Sequence, residues 1–193
     1  MKFVSAKSAV ANRGAAPDAF LIELAVWAAS ASDDIFAKNR ANNDIYVHVA
    51  PQLGPFTTIN HRRAVMCEVL RVLAGYESSW KWGEGVDKSN PASDTPEEFE
   101  AGPWQVSYDS RNFGPELKRL IIEKLGKDSP VAFQRGMKTD HEFAMEYTSR
   151  LLRRTINHHG PLIRGEVNRS LKREAVAEFE AIINQLQKQS RTP

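Results

Sequence analysis

One cysteine, Cys67, occurs in 193 residues, so neither an internal disulfide nor a cysteine-built metal cluster can form. Its neighbours Met66 and Val69 predict a buried, inert thiol rather than a nucleophile. Charge of one sign is also scarce. A formal charge of +2 gives no general attraction for nucleic acid, and no DNA or RNA partner is expected. Long apolar runs are missing too. The stretch 19–31 is too short to span a bilayer and contains Glu23, so it reads as a buried helix. The N-terminus begins in the manner of a signal peptide, but Lys7, Asn12 and Arg13 interrupt its apolar part. The expectation is a soluble protein without a Sec export signal or membrane contact. No His-Glu-x-x-His pattern occurs. The adjacent His158 and His159 would point about 100° apart on a helix, a poor arrangement for a shared metal.

What is present suits one globular domain: 41% apolar and 26% charged residues exclude a disordered chain. Charge is uneven along it, with 10 Lys and Arg against 14 Asp and Glu up to residue 110, and 16 against 10 beyond it. A basic second half could draw an anionic polymer; solvated helix faces are the commoner reason for such a bias.

The periodicity predicts a mostly helical chain interrupted once. Residues 1–16 read as a flexible arm. Pro17 and Asp18 suit a helix start, with the helix running to about Ser30. Over 32–60 the turn formers Pro51, Gly54 and Pro55 argue against long elements. Over 61–76, Val65, Val69, Val72 and Tyr76 form one apolar stripe and Met66, Leu70 and Leu73 a second, which predicts a deeply buried helix weakened at its end by Gly75. Residues 77–114 hold three of the four tryptophans and six acids between Glu84 and Glu100. There the alternation Trp104, Val106, Tyr108 predicts a strand in a small β-hairpin lobe. Helices follow over 115–125, 141–156 and 171–186, and then a frayed tail.

Glu77 carries the candidate chemistry. It follows Leu73, Leu70 and Met66 at offsets of four, seven and eleven, on their apolar face and at the helix C-terminus. Burial and the negative helix end both disfavour a carboxylate. A carboxyl kept protonated near neutrality is what a general acid must be, and a glycosidic oxygen needs such an acid to leave. An exposed Glu paired with Lys81 at a frayed end is the other reading of this spacing. Trp80, Trp82 and Trp104 could stack on sugar rings, or fill a small apolar core under the loop.

Glu77-Ser78-Ser79-Trp80, followed by Ala101-Gly102-Pro103-Trp104-Gln105-Val106, resembles the goose-type lysozyme and lytic transglycosylase superfamily, over about residues 62–110. Its pattern is a Glu-Ser pair ending a buried helix, then a Gly-x-x-Gln strand, matched here by Gly102 and Gln105. The resemblance implies an α+β, mostly α, lysozyme-like domain over 17–193 that cleaves peptidoglycan or a chitin-like glycan. Glu77 is then the catalytic acid, and Ser78 and Gln105 hold the sugar. Trp104 and Tyr108 would line the facing strand. The superfamily's later tyrosine motif is not matched by His158-His159-Gly160-Pro161; Tyr147 is the nearest upstream tyrosine. The Asp that often follows the Gln-Val pair is Ser107 here.

Inverting hydrolysis needs a second carboxylate. The candidates are Glu100 first, then Asp94, Asp87, Glu84 and Asp109. A lytic transglycosylase, as the resemblance implies, needs none. Asp87, Asn90, Asp94 and Glu97 offer oxygens for Ca²⁺, but their spacing is not that of an EF-hand loop, and no metal or cofactor is expected. A non-catalytic glycan-binding module of the same fold is the alternative. The expected state is a monomer, with an inhibitor or immunity protein as an optional partner. Without a Sec signal, such a protein would reach the periplasm or wall by another route.

Overall fold

Helix α3 (Ile59–Ser78) is the axis of the computed structural model, which describes residues 1–38, 44–85 and 95–190. The two apolar stripes bury it almost completely: every residue from Arg63 to Gly75 is buried. Thr58 caps its start, accepting from His61 N at 3.0 Å. Around it pack α1 (Asp18–Ser30) and α8 (Arg173–Gln189) on one side. Helix α6 (His141–Arg154) also touches it, and α4 (Pro115–Leu125) and α5 (Pro130–Thr139) pack on α6. The short α2 (Ile45–Leu53) and α7 (Gly160–Ile163) close the ends. Helix, 3₁₀ segments included, accounts for 64% of the described residues. Among the described residues the strands are β1 (Glu100–Ala101) and β2 (Val106–Ser107), antiparallel, with Glu100 opposite Ser107. The architecture is thus α+β and mostly α. Among the described residues no helix is long and apolar enough to cross a membrane.

Three expectations need correction. Residues 1–16 are not a loose arm. Phe3, Ala6, Val10 and Ala16 are buried, and the Phe3 and Phe179 rings meet at 5.4 Å. The backbone N–H groups of Val4, Ser5 and Ala6 donate to the Glu178 carboxylate on α8 at 2.6 to 3.3 Å. Secondly, the segment after Asp44, read only as lacking long elements, forms the short helix α2 with Pro51 inside it. Asp44 caps it, accepting from Tyr46 N at 3.2 Å, and Ile45, Tyr46, Val49 and Leu53 give it a buried face. Helix α5 was not expected at all. It has a Ser129 cap, Pro130 in its first turn and a buried face of Ala132, Phe133, Gly136 and Met137. Thirdly, the predicted strand through Trp104 and Tyr108 shrinks to two residues, because Trp104 lies in the preceding turn and Tyr108 opens a 3₁₀ segment, Tyr108–Phe113.

A buried ion pair ties the ends of the chain to α3. Glu68 and Arg71, both fully buried, meet at 2.7 Å. Arg71 also donates to Ser8 O at 3.1 Å and Ser170 O at 3.2 Å, and Glu68 accepts from Lys172 N at 2.9 Å.

Candidate active site

Helix α3 stops abruptly after Ser78, one residue past Glu77. Ser79 and Trp80 both take left-handed backbone conformations (φ 55° and 62°), a strained pair for residues with side chains. Their anchors overcome that strain. Trp80 N donates to Ala74 O at 3.1 Å and Trp80 Nε1 to Arg71 O at 2.8 Å. Gly75 is the socket for this turn, since a Cβ there would lie 2.8 Å from the Trp80 ring and 2.9 Å from Val10.

The Gly-x-x-Gln segment lies against this helix end. Ser78 Oγ donates to Pro103 O at 2.8 Å and accepts from Lys81 N at 3.1 Å. Trp104 Nε1 donates to Leu70 O at 2.9 Å. Gln105 Nε2 donates to Gly102 O at 2.8 Å, closing a turn in which Gly102 (φ 75°) and Gln105 (φ 45°) are both left-handed. Only glycine fits at 102: a Cβ would sit 2.5 Å from Met137 O.

These contacts change the roles expected of the motif. Trp104 has no exposed surface, so it is a core residue and not a stacking platform for sugar. Trp80 is 5% exposed, so the small-core reading describes both. Trp82 is half-buried, with one face stacked on His141 at 3.6 Å between ring centroids. Ser78 and Gln105 are buried and spend their polar atoms on the backbone. Tyr108 donates to Asp128 at 2.7 Å. Tyr147 is buried against Ser110, 2.9 Å between hydroxyl oxygens, and burial pushes its phenol up. Ser78, Trp104, Gln105, Tyr108 and Tyr147 are thus all buried, with hydrogen bonds to the protein itself.

Glu77 differs from them. Its side chain keeps 20% of its surface open. Lys81 pairs with Glu84 at 3.2 Å, which leaves the exposed-pair reading of Glu77 without its partner. Burial pushes the Glu77 carboxyl up to about 7; the Arg164 cation pulls it down and the Glu166 carboxylate adds to the rise. His159, at the start of α7, brings Nδ1 within 3.6 Å of Glu77 Oε1. His159 is 1% exposed, and burial drives its ring well below the usual histidine range, to about 3, so it is neutral at working pH. Next to it, His158 Nε2 accepts from Ser107 N at 3.4 Å, linking this segment to β2. Tyr76 OH donates to Glu166 O at 3.0 Å, which fixes the segment after α7 beside the end of α3.

Glu100 stands on β1 opposite Ser107. Arg164 and Glu166 both act on the Glu77 carboxyl. Glu166 pairs with Arg164 at 2.7 Å, and this partner holds its carboxyl below the usual range. Asp109 lies 3.8 Å from Arg111. Asp87, Asn90 and Asp94 lie outside the described residues. Among the described residues no group of three metal-ligating side chains gathers.

Sequence reasoning had set His158-His159 aside as a poor match to a motif. The structure places His159 beside Glu77 and His158 beside β2, which nothing in the local pattern foretells. Glu166 gave no signal beyond charge. No protein-family model, curated protein or solved structure matches the chain.

Proposed function

We propose that this protein is a glycosidase, of lysozyme-like fold, that cleaves β-1,4 bonds of peptidoglycan or a related N-acetylated glycan, with Glu77 as its general acid. The observation that carries the reading is Glu77 itself. It is a carboxyl pushed up to about 7 by burial, with a fifth of its side chain open, at the end of an almost completely buried helix. Such a group still holds a proton at neutral pH, can reach a ligand, and is aimed by a helix packed into the core. The Glu-Ser and Gly-x-x-Gln resemblance narrows acid chemistry to glycan cleavage.

Glu166 supplies the complementary state. Two carboxyls whose surroundings push their proton affinities apart suit an acid and a base. Glu77 protonates the leaving oxygen, while Glu166, kept ionised by Arg164, is available to activate water. Cleavage without Glu166 would mean that the sugar's own hydroxyl closes an anhydro ring.

The test is digestion of purified peptidoglycan sacculi by wild type and Glu77→Gln, with products resolved by mass. Fragments released by wild type alone support the reading. A water-sized mass gain identifies hydrolysis, and its absence identifies the anhydro route. Equal release by both proteins removes Glu77 from the mechanism.

A further inference from the structure

The imidazole beside Glu77 has no other employment. His159 is sealed from solvent, and neither ring nitrogen has a hydrogen-bond partner among the described residues. A buried polar group without a partner costs stability, and structures retain one chiefly where function uses it. The neighbour it faces is Glu77 Oε1, 3.6 Å from Nδ1. That separation is longer than a formed hydrogen bond, and a small rotation of either side chain closes it.

The neutral ring must place its one N–H on one nitrogen or the other. An orphaned buried N–H is rarer than an under-satisfied acceptor. The nitrogen without a neighbour, Nε2, is therefore the bare one, and Nδ1 carries the hydrogen toward Glu77. The surroundings keep this arrangement neutral. His158, the adjacent residue, turns its own Nε2 to Ser107 N, which makes that nitrogen an acceptor as well. The charged groups acting on Glu77, Arg164 and Glu166, both lie beyond α7 on the same segment. Arg164 covers Gly160, where a Cβ would fall 2.6 Å from its guanidinium.

We infer that His159 is the positioning residue of Glu77: its Nδ1–H donates to Oε1, fixes the rotation of the carboxyl and directs the acidic proton on Oε2 outward to the leaving group. The balance is simple. Before transfer, Oε1 is the carbonyl oxygen and accepts from Nδ1–H. On transfer the Oε2 proton passes to the glycosidic oxygen as its bond to the sugar carbon breaks. The carboxylate left behind keeps the same donor, which strengthens as charge develops. The imidazole neither gains nor loses a proton. This role rests on the glycosidase reading of Glu77, whereas the pairing of the two residues does not.

The experiment separates the two. In the wild-type protein, ¹⁵N shifts of the His159 ring report the tautomer directly, and ¹³C titration of the Glu77 carboxyl reports its proton affinity; neither needs turnover. The expected tautomer has hydrogen on Nδ1. His159→Phe should move the Glu77 titration upward by about one pH unit, because the donor to its charged form is gone. His159→Asn, whose amide nitrogen sits near the position of Nδ1, should restore it. On sacculi, Phe should lower kcat on the order of 10²-fold with little change in KM, and Asn should recover most of that loss. Hydrogen on Nε2, or a Glu77 titration that stays put or falls in a folded Phe variant, overturns the inference. If the Phe variant does not fold, the wild-type tautomer and the Asn titration decide. No release from sacculi by wild type, with the titration coupling intact, refutes the glycosidase reading alone; release surviving in Glu77→Gln removes Glu77 as its acid.

Discussion

Glu77→Gln should make the protein more stable at pH 8 and leave it nearly unchanged at pH 4. The sign follows from the direction of the shift. The Glu77 carboxyl binds its proton more tightly in the folded protein, about 7 against an ordinary 4.5. Below the ordinary value both folded and unfolded chains hold the proton, and the group costs nothing. Between that value and about 7 the unfolded chain releases its proton while the folded one retains it, so folding stability falls as pH rises. Above 7 the folded chain carries a desolvated carboxylate, and the loss is complete. At roughly 1.4 kcal/mol for each tenfold change in proton affinity, the difference is about 3 kcal/mol. The open fifth of the side chain makes this an upper figure. Glutamine keeps the shape and never ionises. Urea unfolding of both proteins at pH 4 and pH 8 gives the double difference, in which carboxylates with lowered affinities, such as Asp34 and Glu116, cancel. A gain for the variant that is the same at both pH values would refute the reasoning. It would mean that Glu77 has an ordinary proton affinity, too low for a general acid at neutrality.

Two further outcomes test the scaffold. Arg71→Met leaves Glu68 buried without its cation and frees Ser8 O and Ser170 O, so unfolding free energy should drop by about 3–5 kcal/mol; a urea midpoint within error of wild type would remove the pair from the account of stability. Trp104→Phe deletes the hydrogen bond to Leu70 O from a side chain with no exposed surface. It should cost about 1–3 kcal/mol of stability and leave KM for sacculi unchanged, whereas a raised KM with unaltered stability would restore Trp104 as a sugar contact.

The buried helix was legible because its signal is redundant. Two apolar stripes, one through Val65, Val69 and Val72 and one through Met66, Leu70 and Leu73, can be satisfied together only by burial on all sides. The helix starts at Asp18 and Pro115 and the C-cap at Gly126 were readable from local residue type. What failed is what tertiary contact decides. Residues 1–16 show no periodicity, yet Glu178, far along the chain, collects three of their N–H groups. Helix α2 runs through a proline because its buried face and Asp44 cap outweigh one missing donor. A tryptophan beside a candidate acid looks the same in sequence whether it faces sugar or core, and Trp104 faces the core.

That last point bears on what a short motif can mean. In this chain Ser78, Gly102, Trp104 and Gln105 all act on the backbone: they close one turn and bind it to the end of α3. The Trp104 ring has no exposed surface to offer a ligand. The motif therefore specifies how Glu77 is held, not what it touches. The groups that meet its carboxyl come from residues 158–166, with His159 on the sealed side and Arg164 and Glu166 on the exposed one. One buried partner and two exposed ones give the carboxyl an uneven setting, of the kind the proposed acid role would use. Changes in the turn around Gly102 should thus act through stability, and changes in 158–166 through rate and pH dependence, a division that variants at Trp104 and His159 test directly.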